Sequence, residues 1–225
     1  MLLNKIILEK NTRLCFSADF TTQKELFKWI DIIGPHICIL KTHIDILEDF
    51  DDSFIKKILE KKEKYNFFIL EDRKFADIGK TFEKQLFGGI YKIASWADII
   101  TIHGICSEGM LSYLTKLNNT KIPKVLIVSQ MSSIGNIIDT MYSENCYKIA
   151  KKYNNLVIGF IAQNNFCNDK QFLILTPGIN INSKNEKDQN YRTPRDAINS
   201  GSDILIVGSA IYKNNPNCVF NYKIL

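Results

Sequence analysis

Two charged segments of the sequence carry side chains suited to acid–base chemistry. In Asp72-Arg73-Lys74-Phe75-Ala76-Asp77 two carboxylates flank a lysine, and Lys41-Thr42-His43-Ile44-Asp45 adds a second lysine and a histidine. A lysine held between carboxylates stays an ammonium ion, because opposite charges favour its charged form. Such a lysine is a poor Schiff-base nucleophile and a good proton donor. The alternative interpretation is a solvated loop whose charges pair only with one another.

The first of these segments follows directly on an apolar run, Phe67–Leu70. That run is too short for an ordinary helix and is typical of a buried strand. In α/β proteins the carboxyl ends of the strands are where chemistry is placed. The position of Asp72, Lys74 and Asp77 therefore favours a functional site.

Eight short apolar runs alternate with amphipathic segments along the chain. Most runs are continuously apolar, which is typical of parallel strands covered on both faces. Eight alternations predict an α/β fold of the TIM (β/α)8 barrel type, in one domain over residues 1–225. A doubly wound sheet is the alternative, but no G-x-G-x-x-G motif follows the first strand. The predicted strands are Arg13–Ser17, Ile37–Leu40, Phe67–Leu70, Asp98–Ile102, Val125–Ser129, Val157–Ile161, Phe172–Leu175 and Ile204–Val207.

Two segments are short for this pattern. Between the sixth and seventh strands only Ala162–Gln171 remains, which leaves room for a helix of one or two turns. After the eighth strand the chain ends on an Asn-rich segment, so we expect a stunted C-terminal helix.

The residues that follow the strands of a barrel share one rim, so they predict a single site. Gly178 and Gly208 would let backbone N–H groups approach an oxyanion closely. The polar loop between Ile179 and Asn190 fits either a lid that closes on a ligand or a plain disordered loop. The side chains expected at the rim are Asp19, Lys41, His43, Asp45, Asp72, Lys74, Asp77, Thr81, His103, Ser132, Ser133, Gln163 and Ser209.

Composition narrows the class of protein. The net charge of +5 suits an anionic small molecule, but the lysines are scattered, so we expect no nucleic-acid partner. No apolar run approaches transmembrane length, so we expect no membrane association. Six cysteines without a CxxC pair favour reduced thiols in a cytoplasmic protein. Three histidines without HxxxH spacing argue against a His-based zinc site, and we expect no metal.

Motifs along nearly the whole chain, in order, resemble one family. Leu40-Lys41-Thr42-His43-Ile44-Asp45-Ile46-Leu47 and Phe68-Ile69-Leu70-Glu71-Asp72-Arg73-Lys74-Phe75-Ala76-Asp77-Ile78-Gly79 resemble signatures of the eukaryotic-type orotidine 5′-monophosphate decarboxylases, as do Met131-Ser132-Ser133 and Thr176-Pro177-Gly178. The resemblance implies a TIM barrel that acts as a homodimer, without a cofactor. It also implies a carboxy-lyase that converts orotidine 5′-monophosphate to uridine 5′-monophosphate, the last step of de novo UMP synthesis.

The same resemblance implies residue roles. The catalytic set would be Lys41, Asp72, Lys74 and Asp77, with Asp77 reaching into the active site of the other subunit. Lys74 would stabilise and then protonate the carbanion that forms at C6. The implied substrate-binding set has Asp19 and Lys41 at the ribose, Thr81 there from the partner subunit, Ser132 at the pyrimidine and Gln189 with Tyr191 at the phosphate. It is completed by His43, Pro177, Gly208 and Ser209.

One position departs from the family pattern. The family has Gly-Arg after the last strand, where the arginine pairs with the phosphate, and this chain has Gly208-Ser209. Serine donates one hydrogen bond and cannot supply a bidentate cation. Two alternative functions stay open: a magnesium-dependent lyase or synthase of sugar phosphates on the same barrel, and a degenerate non-catalytic homologue. Candidate replacement cations are Lys184, Lys187, Arg192, Arg195 and Lys213.

Overall fold

Eight parallel strands close into a barrel in the computed structural model, which describes residues 2–117, 121–182 and 188–222. The strand order follows the chain, and β1 pairs with both β2 and β8. The predicted TIM (β/α)8 barrel is therefore confirmed. The strands are β1 (Leu14–Ser17), β2 (Ile39–Thr42), β3 (Phe68–Phe75), β4 (Ile99–His103), β5 (Lys124–Val128), β6 (Val157–Ile161), β7 (Leu173–Thr176) and β8 (Ile204–Val207).

Helices cover the outside of the barrel, and the first one precedes β1. The helix α2 begins after Thr22, whose side chain accepts a hydrogen bond from the Glu25 N–H and so caps the helix. The helix α7 begins with a capping box, in which Thr193 and Asp196 satisfy each other's backbone N–H groups. The helices are α1 (Leu2–Lys10), α2 (Gln23–Ile33), α3 (Ser53–Tyr65), α4 (Gly79–Phe87), α5 (Ser107–Leu114), α6 (Thr140–Lys152), α7 (Pro194–Asn199) and α8 (Ser209–Tyr212).

The apolar side chains form two layers. The inner layer fills the barrel and includes Leu70, Ile99 and Leu126, and Leu3 and Ile6 of α1 pack against it. The outer layer, larger, lies between the strands and the surrounding helices. Because side chains of a strand alternate in direction, inner and outer residues alternate along each strand. This alternation determines which polar side chains of the strands point into the barrel and reach the site.

Two connections differ from regular (β/α) units. Residues 162–172 are all described and contain no helix, so the predicted short helix between β6 and β7 was wrong. Side chains there compete with helical backbone bonds: Asn165 accepts from the Asn168 N–H, and Asp169 accepts from the Gln171 N–H. At the end of the chain α8 has only four residues and a 3₁₀ helix, Pro216–Tyr222, follows it. The expectation of a stunted C-terminal helix agrees with this.

Candidate active site

A cavity of about 360 Å³ opens at the carboxyl end of the barrel. Its volume lies in the range of small-molecule sites. Most of the residues that the sequence predicted for the site line it. They are Asp19, Lys41, His43, Asp72, Lys74, Ser132, Pro177, Gln189, Tyr191, Gly208 and Ser209, together with Ser133 and Gly178.

A buried carboxylate between two ammonium groups forms the floor of this cavity. The Oδ2 atom of Asp72 lies 3.1 Å from the Lys41 Nζ and 2.8 Å from the Lys74 Nζ. Burial raises the pKa of Asp72, but the charges of Lys41 and Lys74 outweigh burial and hold this pKa well below its ordinary value. Burial likewise lowers the pKa of Lys41, and Asp72 and Asp19 outweigh it and raise this pKa. Asp72 and Lys41 are therefore both charged at neutral pH.

His43 contributes a neutral ring to the same cluster. Its Nε2 lies 2.8 Å from the Lys41 Nζ, 3.5 Å from an Asp72 oxygen and 4.0 Å from an Asp19 oxygen. Burial and the charge of Lys41 lower the pKa of His43 to about 4. Because the ring is then neutral and the ammonium can only donate, Nε2 accepts from Lys41 and the proton sits on Nδ1. The contacts between His43 and the carboxylates are therefore not ion pairs.

The backbone at Lys74 is in the left-handed region, with φ of 51°. The residue lies where β3 slips against β4: Glu71 pairs with Ile100 and Phe75 with Ile102, so β3 carries extra residues in a bulge. A left-handed lysine costs on the order of 1 kcal/mol and persists where neighbouring contacts hold it. The bulge therefore gives Lys74 a backbone geometry that a regular strand would not provide.

Two buried polar residues behind the cluster were not singled out from the sequence. Thr101 on β4 donates to the Asp72 Oδ1 at 2.7 Å and accepts from the Lys74 N–H at 2.9 Å. Glu71 accepts from the Thr42 hydroxyl at 2.6 Å and from the Ile44 N–H at 3.0 Å. The sequence did offer a signal for each residue. Thr101 is a hydroxyl inside the apolar run Ile99–Ile102, and Glu71 is a carboxylate one residue before the charged cluster.

Glu71 predicts a pH-dependent stability. Burial raises its pKa to about 8 although Thr42 and Ile44 hydrogen-bond it. Above pH 4.5, the ordinary pKa, the unfolded chain releases the Glu71 proton, whereas the folded protein keeps it up to about pH 8. The contribution of Glu71 to stability is therefore full below pH 4.5 and is lost as pH rises through 8. We expect the unfolding free energy of the wild type to fall by about 1.5 kcal/mol between pH 6.5 and pH 8, and we expect this fall to be absent in Glu71→Gln.

Urea unfolding of both proteins across that pH range is the measurement. The depressed pKa of His43 makes the protein more stable as pH rises from about 4 to 6.5, and this effect is common to both proteins, so it cancels in the comparison. Glu63→Gln, at an exposed position on α3, is the matched control and should follow the wild type. Parallel curves for wild type and Glu71→Gln would contradict the prediction.

At the far side of the cavity, two loops are joined by hydrogen bonds. The Gln189 side chain donates to the Ser132 hydroxyl at 3.0 Å, and the Asn190 N–H donates to the Ser132 carbonyl at 2.9 Å. Gly178, with φ of 75°, lies beneath them, and a Cβ there would come within 2.7 Å of the Asn190 carbonyl oxygen. Glycine is therefore required where the chain from β7 passes under the Gln189 loop.

The far side is poor in positive charge. Among the described residues that line the cavity, the ammonium groups are those of Lys41 and Lys74, and both lie at the opposite end with Asp72. The guanidinium of Arg192 donates to the Gln163 carbonyl at 2.6 Å and does not line the cavity. Lys184 and Lys187 lie outside the described residues. Ser209 lines the cavity at the first residue of α8.

Five of the side chains expected at the rim do not line this cavity: Asp45, Asp77, Thr81, His103 and Gln163. Asp77 lies after β3 in a small separate depression, and its carboxylate accepts from the Ile78 N–H. Thr81 lies in the first turns of α4. Beside them, Ile78 is 68% exposed. Within one chain, the cavity thus holds Lys41, Asp72 and Lys74 but neither Asp77 nor Thr81.

This arrangement is suited to stabilising negative charge and delivering a proton. Lys74 is the more accessible of the two lysines, with its side chain 30% exposed against 7% for Lys41. Preorganised charges in a site that excludes water stabilise developing charge more strongly than they would in water. In the described part of the chain, His, Cys, Asp and Glu side chains form no group of three that would ligate a metal.

Comparison with known proteins gives consistent matches. A sequence model of the orotidine 5′-phosphate decarboxylase / HUMPS family matches residues 12–219. A relative from Rhizopus oryzae named orotidine 5′-phosphate decarboxylase is 42% identical over 212 residues, covering 92% of this chain and 80% of the relative. Relatives with the same name are 43% identical in Candida glabrata, over 92% of this chain and 82% of theirs, and 41% in Saccharomyces cerevisiae, over 92% and 80%.

Proposed function

The chain belongs to the orotidine 5′-phosphate decarboxylase / HUMPS family, and from this premise we propose that it converts orotidine 5′-monophosphate (OMP) to uridine 5′-monophosphate (UMP) and CO₂. This is the last step of de novo UMP synthesis. The relatives described above carry the decarboxylase name, so the two alternatives, a magnesium-dependent sugar-phosphate enzyme and a non-catalytic homologue, are not favoured. The observation that carries the proposal is the Lys41–Asp72–Lys74 cluster at the mouth of the barrel.

The proposed reaction uses this cluster directly. The C6–carboxylate bond of OMP breaks, CO₂ leaves, and the electron pair stays on C6. The Lys74 ammonium stabilises this carbanion and then transfers a proton from Nζ to C6, after which solvent reprotonates the amine. Asp72 holds the ammonium in place, at 2.8 Å from Nζ. Binding of the distant phosphate would supply energy for closing the site around the reacting carbon.

Substrate contacts follow the positions around the cavity. We propose that Asp19 and Lys41 bind the ribose hydroxyls and that Ser132 binds the pyrimidine edge. Gln189 and Tyr191, with the backbone at Gly208, would hold the phosphate. Their positions on the cavity wall support these roles. His43, Pro177 and Ser209 complete the proposed set.

Purified protein incubated with OMP tests the proposal. We expect the pyrimidine absorbance of OMP to change to that of UMP, with CO₂ released in equal amount. Addition of a metal chelator should leave the rate unchanged, because a proton donor and fixed charges suffice for the proposed steps. A folded protein that leaves OMP intact would contradict the proposal, and a rate that depends on added magnesium would favour the sugar-phosphate alternative.

Asp77 and Thr81 would complete the site of a second subunit in a homodimer. Their position outside the cavity of their own chain, beside the exposed Ile78, supports this arrangement.

We further propose that residues 1–225 act as one domain, in which the family match covers most of the barrel. The six cysteines are free thiols, which supports a cytoplasmic location. None of the described helices is long and apolar enough to cross a membrane.

Ser209 gives a prediction about phosphate binding. We expect Ser209→Arg to lower KM for OMP roughly tenfold, because a guanidinium adds charge-assisted hydrogen bonds to the phosphate where a hydroxyl offers one neutral bond. Steady-state kinetics at fixed ionic strength is the measurement. Ser209→Gln adds length without charge and should not reproduce the effect. An unchanged or raised KM in Ser209→Arg would mean that another cation already serves the phosphate.

A further inference from the structure

Thr101 places a hydroxyl group inside the apolar barrel. It lies on β4 between Ile100 and Ile102, which pack in the outer layer, and it shares the inward direction of Ile99. Its residue is fully buried. A buried hydroxyl costs free energy unless it is hydrogen-bonded, so its partners indicate what it is for.

Both partners of Thr101 belong to the Asp72–Lys74 segment. The hydroxyl donates to the Asp72 Oδ1 at 2.7 Å, because a carboxylate can only accept, and it accepts from the Lys74 N–H at 2.9 Å. One side chain thus uses its donor on the carboxylate and its acceptor on the backbone two residues later. It links β4 to the part of β3 where the ordinary strand pairing is interrupted.

The two oxygens of Asp72 have different partners. Oδ2 faces the ammonium groups of Lys41 and Lys74, and Oδ1 faces Thr101. A carboxylate bound through one oxygen only, by lysine side chains that have several rotatable bonds, can rotate about its Cβ–Cγ bond. The Thr101 hydroxyl opposes this rotation because it holds Oδ1 from the rigid strand below. Oδ2 is thereby kept in the direction of Lys74.

The second hydrogen bond of Thr101, which it accepts from the Lys74 N–H, holds the backbone of the same segment of β3. In the left-handed conformation at Lys74, with φ of 51°, this N–H lies in the bulge where β3 and β4 lose register. The Thr101 oxygen accepts from it in place of a strand carbonyl. Loss of that acceptor would leave a backbone donor unpaired and would allow the bulge to relax.

We propose that Thr101 is a positioning residue, which orients the Asp72 carboxylate and fixes the backbone of Lys74 so that the ammonium points at the reacting carbon. The inference goes beyond the proposed function and rests on it only for the catalytic consequence. The two hydrogen bonds themselves exist whether or not the protein acts on OMP.

The variants Thr101→Val and Thr101→Ser distinguish the effect of the Thr101 hydroxyl from the effect of its packing. Valine keeps the branched shape and loses the hydroxyl, and serine keeps the hydroxyl and loses a methyl group. We expect Thr101→Val to lower kcat for OMP roughly 10- to 100-fold with KM within about threefold, because displacement of a catalytic group by about 1 Å costs rate more than ground-state binding. Thr101→Ser should retain kcat within about fivefold of wild type.

Thr176→Val is a matched control. Thr176 is, like Thr101, a fully buried threonine on a barrel strand, here β7, but its hydroxyl has no hydrogen-bond partner among the described residues. The same chemical change there should leave kcat within about twofold. Circular dichroism and thermal melting of the three variants show that each is folded when assayed.

Hydrogen exchange of the Lys74 amide, measured by NMR, gives a readout that does not depend on activity. We expect protection in wild type and Thr101→Ser and at least about tenfold faster exchange in Thr101→Val. If wild type does not act on OMP but this pattern holds, the proposed function fails and the positioning contacts stand. Equal protection in all three proteins overturns the inference. Unchanged kcat in Thr101→Val, or an equal loss in Thr101→Ser, also overturns it.

Discussion

Lys74→Ala is expected to lower kcat for OMP by about 10⁴-fold or more, because it removes both a preorganised charge and the proposed proton donor. The ammonium lies 2.8 Å from Asp72 at the floor of the cavity, and Lys41, the neighbouring ammonium, is only 7% exposed. Lys41 is therefore poorly placed to take over proton transfer. Steady-state decarboxylation assays, with long incubations for the variant, measure the loss.

Two further variants refine this prediction. Lys74→Arg keeps a positive charge but gives up a proton much less readily, so we expect it to remain at least about 10²-fold impaired. Lys24→Ala, at an exposed position on α2, removes a lysine that does not line the cavity and should keep kcat within about twofold. A Lys74→Ala protein with kcat near that of wild type would remove Lys74 from the mechanism.

Mixing two inactive variants is expected to restore activity if the proposed dimer shares its sites. Asp77→Ala alone should lower kcat by about 10²-fold or more, since it removes a charge from both sites. In a heterodimer of Lys74→Ala and Asp77→Ala subunits, one site has both intact groups and the other has neither. Random reassortment of subunits should then give about a quarter of the wild-type activity, because half the dimers are mixed and half of their sites are intact.

The control is a mixture of Lys74→Ala with Asp72→Ala. Both residues line the cavity of their own chain, so no heterodimer of these variants has an intact site. Co-expression with two affinity tags allows the mixed dimers to be isolated before assay. Lack of recovery in isolated Lys74→Ala/Asp77→Ala dimers, or recovery in the control as well, would contradict a site shared across subunits through Asp77.

Much of the barrel could be predicted from local patterns. The runs Val157–Ile161 and Ile204–Val207 match β6 and β8 residue for residue, because continuous apolar runs bounded by polar segments leave little freedom in where a buried strand begins and ends. Five other predicted strands differ from the observed ones by one or two residues, and the third differs most. The apolar run ends at Leu70, but β3 continues through the charged residues to Phe75. Pairing with β2 and β4 extends a strand beyond its apolar part, and hydropathy does not report such pairing.

The charged part of the site was also predictable, and its supporting part was not. Asp72, Lys74 and Lys41 stand out because charges directly after buried strands are unusual. Thr101 is a single polar residue within an apolar strand, and Glu71 directly precedes the charged residues of β3. In neither case does the sequence indicate whether the hydroxyl or carboxylate meets a partner. Their partners come from other strands, and Asp72 and Thr101 are 29 residues apart in sequence.

The sequence by itself determined that eight strands alternate with helices and that charged residues follow them, since both properties depend on residues near one another in the chain. Only the tertiary structure decided how these charges are used. Closure of the barrel sets Asp72 between Lys41 and Lys74, the bulge in β3 sets the direction of Lys74, and the same closure leaves Asp77 outside the cavity. These outcomes depend on register and strand pairing between distant segments, and therefore on distances that spacing along the chain does not specify.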